Sequence, residues 1–121
     1  MTVTYIEDAD AKTVELTVSG RITREDFDAI VAPMQAFIDT HGSIRMVEVV
    51  ESMGGFDPSV IWEGIQFDFR NIRHISHVAV VSDIGWISPM SKAAGALIST
   101  KLRTFAMSEV DEARVWARTA D

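Results

Sequence analysis

Chemistry in a protein begins with side chains that move protons, hold metals or attack, and this 121-residue chain offers few of them. It has no cysteine, which excludes thiol catalysis, disulfides and cysteine-metal sites in this sequence. Of its 3 histidines, His74 and His77 lack an ordered carboxylate at ligand spacing, and His41 ends a helical stretch. A solvated or structural role is expected for them, and no metal. Serine, histidine and aspartate all occur, but no nucleophile elbow sets a serine on a strand-to-helix turn. The surroundings of Glu63 offer no glycine-rich phosphate loop. Asp8 and Asp10 read as turn residues that need no ion. The residue inventory therefore predicts no cofactor and no enzymatic activity.

The remaining polar candidates gather at one rim. In open α/β sheets, ligands sit beyond the carboxyl ends of the parallel strands. Segments 20–23, 51–57 and 82–86 are expected at that edge, with Arg21, Glu51, Ser52, Asp57, Asp83 and Trp86 on them. Asp57 and Ser82 could equally serve as caps, and Trp86 as a packing residue. Beside the rim falls the most apolar helix, expected from Pro58 to about Arg70. Trp62, Ile65, Phe69 and Ile72 form one stripe at helical spacing, while Val60, Ile61 and Phe67 lie outside it. Such a helix is either a wedge in the core, a lid over an apolar pocket, or a surface that meets lipid. Gly54, Gly55 and Gly64 would let it move. Arg70, Arg73, His74 and His77 follow as a small cationic cluster, the combination an interfacial anchor uses. The ligand-binding set is thus Trp62, Ile65, Phe69 and Trp86 as apolar lining, with Arg21, Ser52 and Asp83 orienting a polar end. The ligand that suits it is a small apolar or amphipathic, lipid-like molecule.

Composition bounds the partners. A hydrophobic share of 47% and a charged share of 24% are those of one globular domain over 1–121. The net charge of −7 argues against nucleic acid, which needs a cationic footprint. The opening MTVTYIED lacks the basic and apolar regions of a secretory signal, and no apolar run is long enough to span a bilayer. With cysteine absent, a cytoplasmic location is expected, with peripheral membrane contact at most.

The elements that position these residues follow from hydrophobic spacing. Val3 to Glu7, the turn at Asp8-Ala9-Asp10, and the alternation of Val14, Leu16 and Val18 predict a β-hairpin. Thr23 caps a helix whose buried stripe is Phe27, Ile30, Val31, Met34, Phe37 and Ile38; Gly42 stops it and Pro33 is expected to kink it. Ile44 to Val50 is the next strand. Asp57 and Pro58 start the apolar helix, and Val78 to Val81 is a central strand buried on both faces. A helix from about Ser88 to Thr100, a strand from Arg103 to Met107 and a last helix capped by Ser108 complete the order ββαβαβαβα. That alternation predicts a mixed, mainly parallel five-stranded α/β sheet with its first strand antiparallel. Met46, Glu48 and Val50 are expected on its less covered side, where an apolar patch would favour a homodimer.

The ordered set of motifs resembles the SpoIIAA-like family, related in fold to the STAS domains of anti-sigma factor antagonists. It comprises Thr23-Arg24-Glu25-Asp26-Phe27 leading to Pro33, Met46-Val47-Glu48-Val49, Ile61-Trp62-Glu63, Ala79-Val80-Val81-Ser82-Asp83 leading to Trp86, and Glu112-Ala113-Arg114-Val115-Trp116. The resemblance implies a compact sheet with helices largely on one face. It also implies a non-enzymatic role in binding apolar ligands or at membranes. STAS antagonists carry Asp-Ser-x-Gly after a strand, with a serine that is phosphorylated to break a complex. Glu51-Ser52-Met53-Gly54 looks similar, with Glu for Asp and a longer connection to the next helix. A partner-switching role for Ser52, with a regulatory protein as partner, is therefore the alternative function.

Overall fold

The computed structural model describes residues 3–20, 23–51, 72–85, 89, 92 and 100–121. Five strands form one sheet in the order β1-β2-β3-β4-β5. They are β1 (Val3–Asp8), β2 (Thr13–Val18), β3 (Ile44–Val50), β4 (Ile75–Ser82) and β5 (Lys101–Phe105). β1 and β2 pair antiparallel, and β2 through β5 pair parallel. The mixed, mainly parallel architecture is the one the alternation of elements predicts. The hairpin turn brings Lys12 to a left-handed φ of 52°, held by its N–H on the Ala9 carbonyl and by Asp8 Oδ1 accepting from Ala11 N.

Helix α1 (Arg24–His41) begins at a complete capping box. Thr23 Oγ1 accepts from Asp26 N, and Asp26 Oδ2 accepts from Thr23 N. The helix runs continuously through Pro33 and ends at Gly42, whose φ of 76° explains glycine there. Met34, Phe37 and Ile38 turn inward. They pack on a row of strand residues fixed by the register, Val14 beside Met46 beside Val78. Val14 and Ile44 are fully buried. Each such aliphatic side chain stabilises the fold by ~1.5–3 kcal/mol relative to its exposed state.

Helix α2 (Val110–Thr119) covers the opposite face. Ala113 and Ala117 are small enough to let it lie close on Val47, Val49, Ala79 and Val81. Trp116 flanks that contact, 6.1 Å from Phe105 by ring centroids. Its carboxyl end is held from the sheet below: Arg45 Nη1 donates to the carbonyls of Ala117 (3.0 Å) and Ala120, and Lys101 Nζ to that of Asp121. Cations at this end also suit the helix dipole.

Several expectations are revised by these contacts. The side of the sheet carrying Met46 and Val50 is the one α1 covers, because Met46 shares its row with Val14 and Val78 beneath Met34 and Phe37. The self-association patch expected there is buried. β4 begins at Ile75, earlier than the apolar run Val78 to Val81 shows, and β5 begins at Lys101 and ends before Met107. Ser108 does not cap the last helix. A 3-10 turn (Met107–Glu109) leads into α2, and Glu109 Oε1 reaches back to accept from Ala106 N. The helix expected over 58–70 lies outside the described residues. Of the one expected from Ser88 to Thr100, Pro89 and Lys92 are described, and both are helical.

Candidate functional site

At the carboxyl ends of β3 and β4 the described chain builds part of the expected rim. Glu51 N donates to the Val18 carbonyl, so the chain is still tied to β2 where it leaves β3. Ser82 is buried and works as a strap: its Oγ donates to the Val50 carbonyl at 2.9 Å and accepts from Ile84 N at 3.1 Å. Asp83 is exposed, and its Oδ1 accepts from Met107 N at 3.0 Å. It thereby ties the exit of β4 to the turn that precedes α2. Val50 and Ile84 are half-buried and continue the α1-side core up to the rim. Glu48 lies just below, half-buried and level with Leu16 and Val80.

Of the expected ligand-binding residues, Asp83 is the one the structure describes. Arg21, Ser52, Trp62, Ile65, Phe69 and Trp86 lie outside the described residues, as do Asp57 and Arg70. Of the cationic cluster expected from Arg70 onward, Arg73, His74 and His77 are described, and His77 does not join it. Arg73 is exposed, and its Nε donates to Nε2 of His74, whose Nδ1 is 3.0 Å from the Gly42 carbonyl. Through these contacts His74, just ahead of β4, bridges to the end of α1. His77 points into the sheet–helix interface instead. It is buried, its Nδ1 is 2.8 Å from Ser76 Oγ, and its ring meets Trp116 edge-on at 5.5 Å. Its Nε2 is buried and has no hydrogen-bond partner among the described residues.

A second feature lies on the α2 face. The helix covers β3 and β4 and leaves the hairpin side of the sheet open, with a groove of about 310 Å³ between them. Val47, Thr13 and Ile6 line it, together with Asp8, Glu15, Arg114 and Arg118. Glu15 accepts from Arg114 Nε at 2.7 Å and Nη2 at 3.0 Å. Asp111 accepts from Nη1 of the same guanidinium at 3.1 Å. The hydrogen bond to Glu15 is the main cause holding Arg114 above the ordinary arginine range; burial opposes it. Arg118 Nη2 lies 3.4 Å from Asp8 Oδ2. Each cation is matched by an acid, so this groove carries no charge surplus that would select an ion. The spacing of Arg114 and Arg118 on one helix flank, opposite Glu15 on the wet face of β2, is the sequence signal that would have found it.

Among the described residues, no group of three or more His, Asp or Glu side chains could hold a metal ion. No helix of these residues is long and apolar enough to cross a membrane. At these two places Ser82 and Asp83 bond to backbone groups and Glu15 and Arg114 bond to each other, so these side chains hold elements together.

Comparison with known proteins agrees with this architecture. Among solved structures, an uncharacterized protein with a SpoIIAA-like fold from Shewanella loihica PV-4 superposes with a TM-score of 0.75. It is 13% identical, and the match covers 96% of this chain and 92% of that one, so the likeness is one of fold. No curated protein matches the sequence. The model of the SpoIIAA-like family matches residues 13–118, from the start of β2 almost to the end of α2. With that span matched and the same fold in the sheet, the chain belongs to the SpoIIAA-like family.

Proposed function

We propose that this protein is a non-enzymatic binding module for a small apolar or amphipathic molecule, taken up at the carboxyl rim of β3 and β4. The observation that carries this reading is the apolar core surfacing at that rim, where Val50 and Ile84 stand half-buried beside Ser82 and Glu51. An apolar floor with few polar groups at its mouth suits a lipid-like ligand. The segment that follows Glu51 in sequence supplies the apolar stripe Trp62, Ile65 and Phe69, and Trp86 follows β4. Arg21, Ser52 and Asp83 are the groups proposed to orient the polar end. The test is displacement of an environment-sensitive naphthalene sulfonate probe by long-chain fatty acids. Trp62→Ala weakens binding by roughly tenfold while the melting temperature holds, the ratio that ~1.4 kcal/mol of lost contact produces. Equal loss of binding and stability would make Trp62 a core residue and remove it from the site.

Family membership favours a second reading, a partner-switching regulator of the anti-sigma factor antagonist type. Ser52 follows directly on Glu51, the residue tied to β2 at the end of β3. A phosphoryl group there would add close to two negative charges at a protein–protein contact. A Ser52→Asp variant that keeps every partner of the wild type in a pull-down would dispose of this reading.

A further inference from the structure

Among the described residues, His77 is the one buried side chain that can ionise. It is 4% exposed and lies near the start of β4, at the opposite end of the strands from the ligand rim. The register sets it between two cations. Arg45 is its partner on β3 and Lys101 its partner on β5. One row of the sheet therefore reads Arg45, His77, Lys101, across strands about 4.8 Å apart. Cross-strand partners share a face, and here it is the face that α2 covers.

The surroundings of the ring suit its neutral form. An imidazolium donates from both nitrogens. Nδ1 has Ser76 Oγ at 2.8 Å, but Nε2 has no partner among the described residues. β5 brings Lys101 and, two residues on, Arg103, whose guanidinium lies over the Phe105 ring. α2 brings the edge-on ring of Trp116, while its acids Asp111 and Glu112 sit exposed in the first turn. Ahead of β4 stand exposed Arg73 and His74, the latter on the Gly42 carbonyl. The carboxyl end of a helix favours a cation. That end is already taken: Arg45 donates to the Ala117 and Ala120 carbonyls, and Lys101 to that of Asp121. A proton on His77 adds a third like charge to the row and buries it with one donor unmatched, which destabilises the closed helix.

We propose that His77 is an acid-sensitive latch for α2: once charged, the ring leaves its place beside Trp116 for water, and the last turn of the helix lifts from the sheet. The opened form takes up the proton more readily than the closed one. The protection of α2 therefore falls as pH falls through the range in which histidine charges. The opening is local, because α1 packs on the other face of the sheet. It is also independent of any ligand at the rim.

Hydrogen-exchange mass spectrometry of the full chain tests it at about pH 7.5 and about pH 5.5, with rates corrected for the intrinsic pH dependence of exchange. At the lower pH the amides in the last turn of α2 exchange roughly tenfold faster, while those of α1 change little. His77→Phe and His77→Leu each remove the gain. The chain has 3 histidines, and His41→Gln and His74→Gln both keep it. Lys101→Met, which takes one cation out of the row, lessens it. Equal protection of α2 at both pH values in the wild type overturns the proposal. So does a gain that survives in both His77→Phe and His77→Leu, or one that disappears in His74→Gln.

Discussion

Arg114 reaches from α2 to β2 and grips Glu15 with two parallel hydrogen bonds, at 2.7 and 3.0 Å. Its third contact, to Asp111, is made on the helix itself. The two-pronged geometry needs the planar guanidinium fork, which lysine lacks. Arg114→Lys should therefore lose most of the coupling to Glu15. In a double-mutant cycle with Glu15→Gln, the pair contributes ~1 kcal/mol or less, because the Arg114 side chain is 39% exposed and screened by water. Chemical denaturation of the four variants measures it, and added salt should reduce the value.

His77 is the misfit of the core. Its Nε2 is buried with no partner among the described residues, and an orphaned polar atom destabilises a fold by ~1–3 kcal/mol. Phenylalanine has nearly the same shape and keeps the edge-on contact with Trp116. His77→Phe is expected to raise stability by ~1 kcal/mol after the loss of the Ser76 contact. A lower melting temperature would show that the imidazole holds something the phenyl ring cannot.

The end of α2 depends on one side chain of β3. Arg45 donates to the carbonyls of Ala117 and Ala120, which no helical N–H can reach. Arg45→Met keeps the aliphatic stem and removes the donor. Stability should fall by ~1–2 kcal/mol, with amide exchange accelerated first in the last turn of α2 and little changed in α1.

Tyr5 is the chain's single tyrosine, so its ionisation can be followed directly in the ultraviolet. Burial is the first cause raising it above the ordinary 10.0, and its hydrogen bond and proximity to Glu7 add to the shift. The folded state thus favours the neutral phenol. The stability this contributes is complete below the ordinary tyrosine value and is lost as pH rises through the higher folded value. The phenolate band should appear later in the alkaline titration of the folded protein than in that of the urea-unfolded chain. Glu7→Gln should bring the two curves closer.

The elements most legible in the sequence were those whose signals are local. β3 spans the expected Ile44 to Val50, and α1 starts at Thr23 because the hydroxyl and Asp26 satisfy each other within one turn. The face on which each element packs was harder to read. Whether Met46 or Val47 meets α1 depends on register with β2 and β4, which no segment of β3 encodes alone. β4 was cut short at Val78 because Ser76 and His77 are polar, yet Trp116, far along the chain, covers His77. Ser108 looked like the cap of the last helix, and the closure came from Glu109 and Asp83. Of the candidate site, Ser82 and Asp83 stand at the carboxyl end of β4, and their side chains serve as straps. The Arg114–Glu15 groove was missed because its two walls come from opposite ends of the sequence.

Native mass spectrometry of the gently purified protein, followed by solvent extraction, tests the binding reading most directly. The account predicts a discrete added mass that extracts as an apolar or amphipathic molecule and is reduced in Trp62→Ala. A bare chain mass that stays unchanged after incubation with a mixture of fatty acids and phospholipids would contradict it.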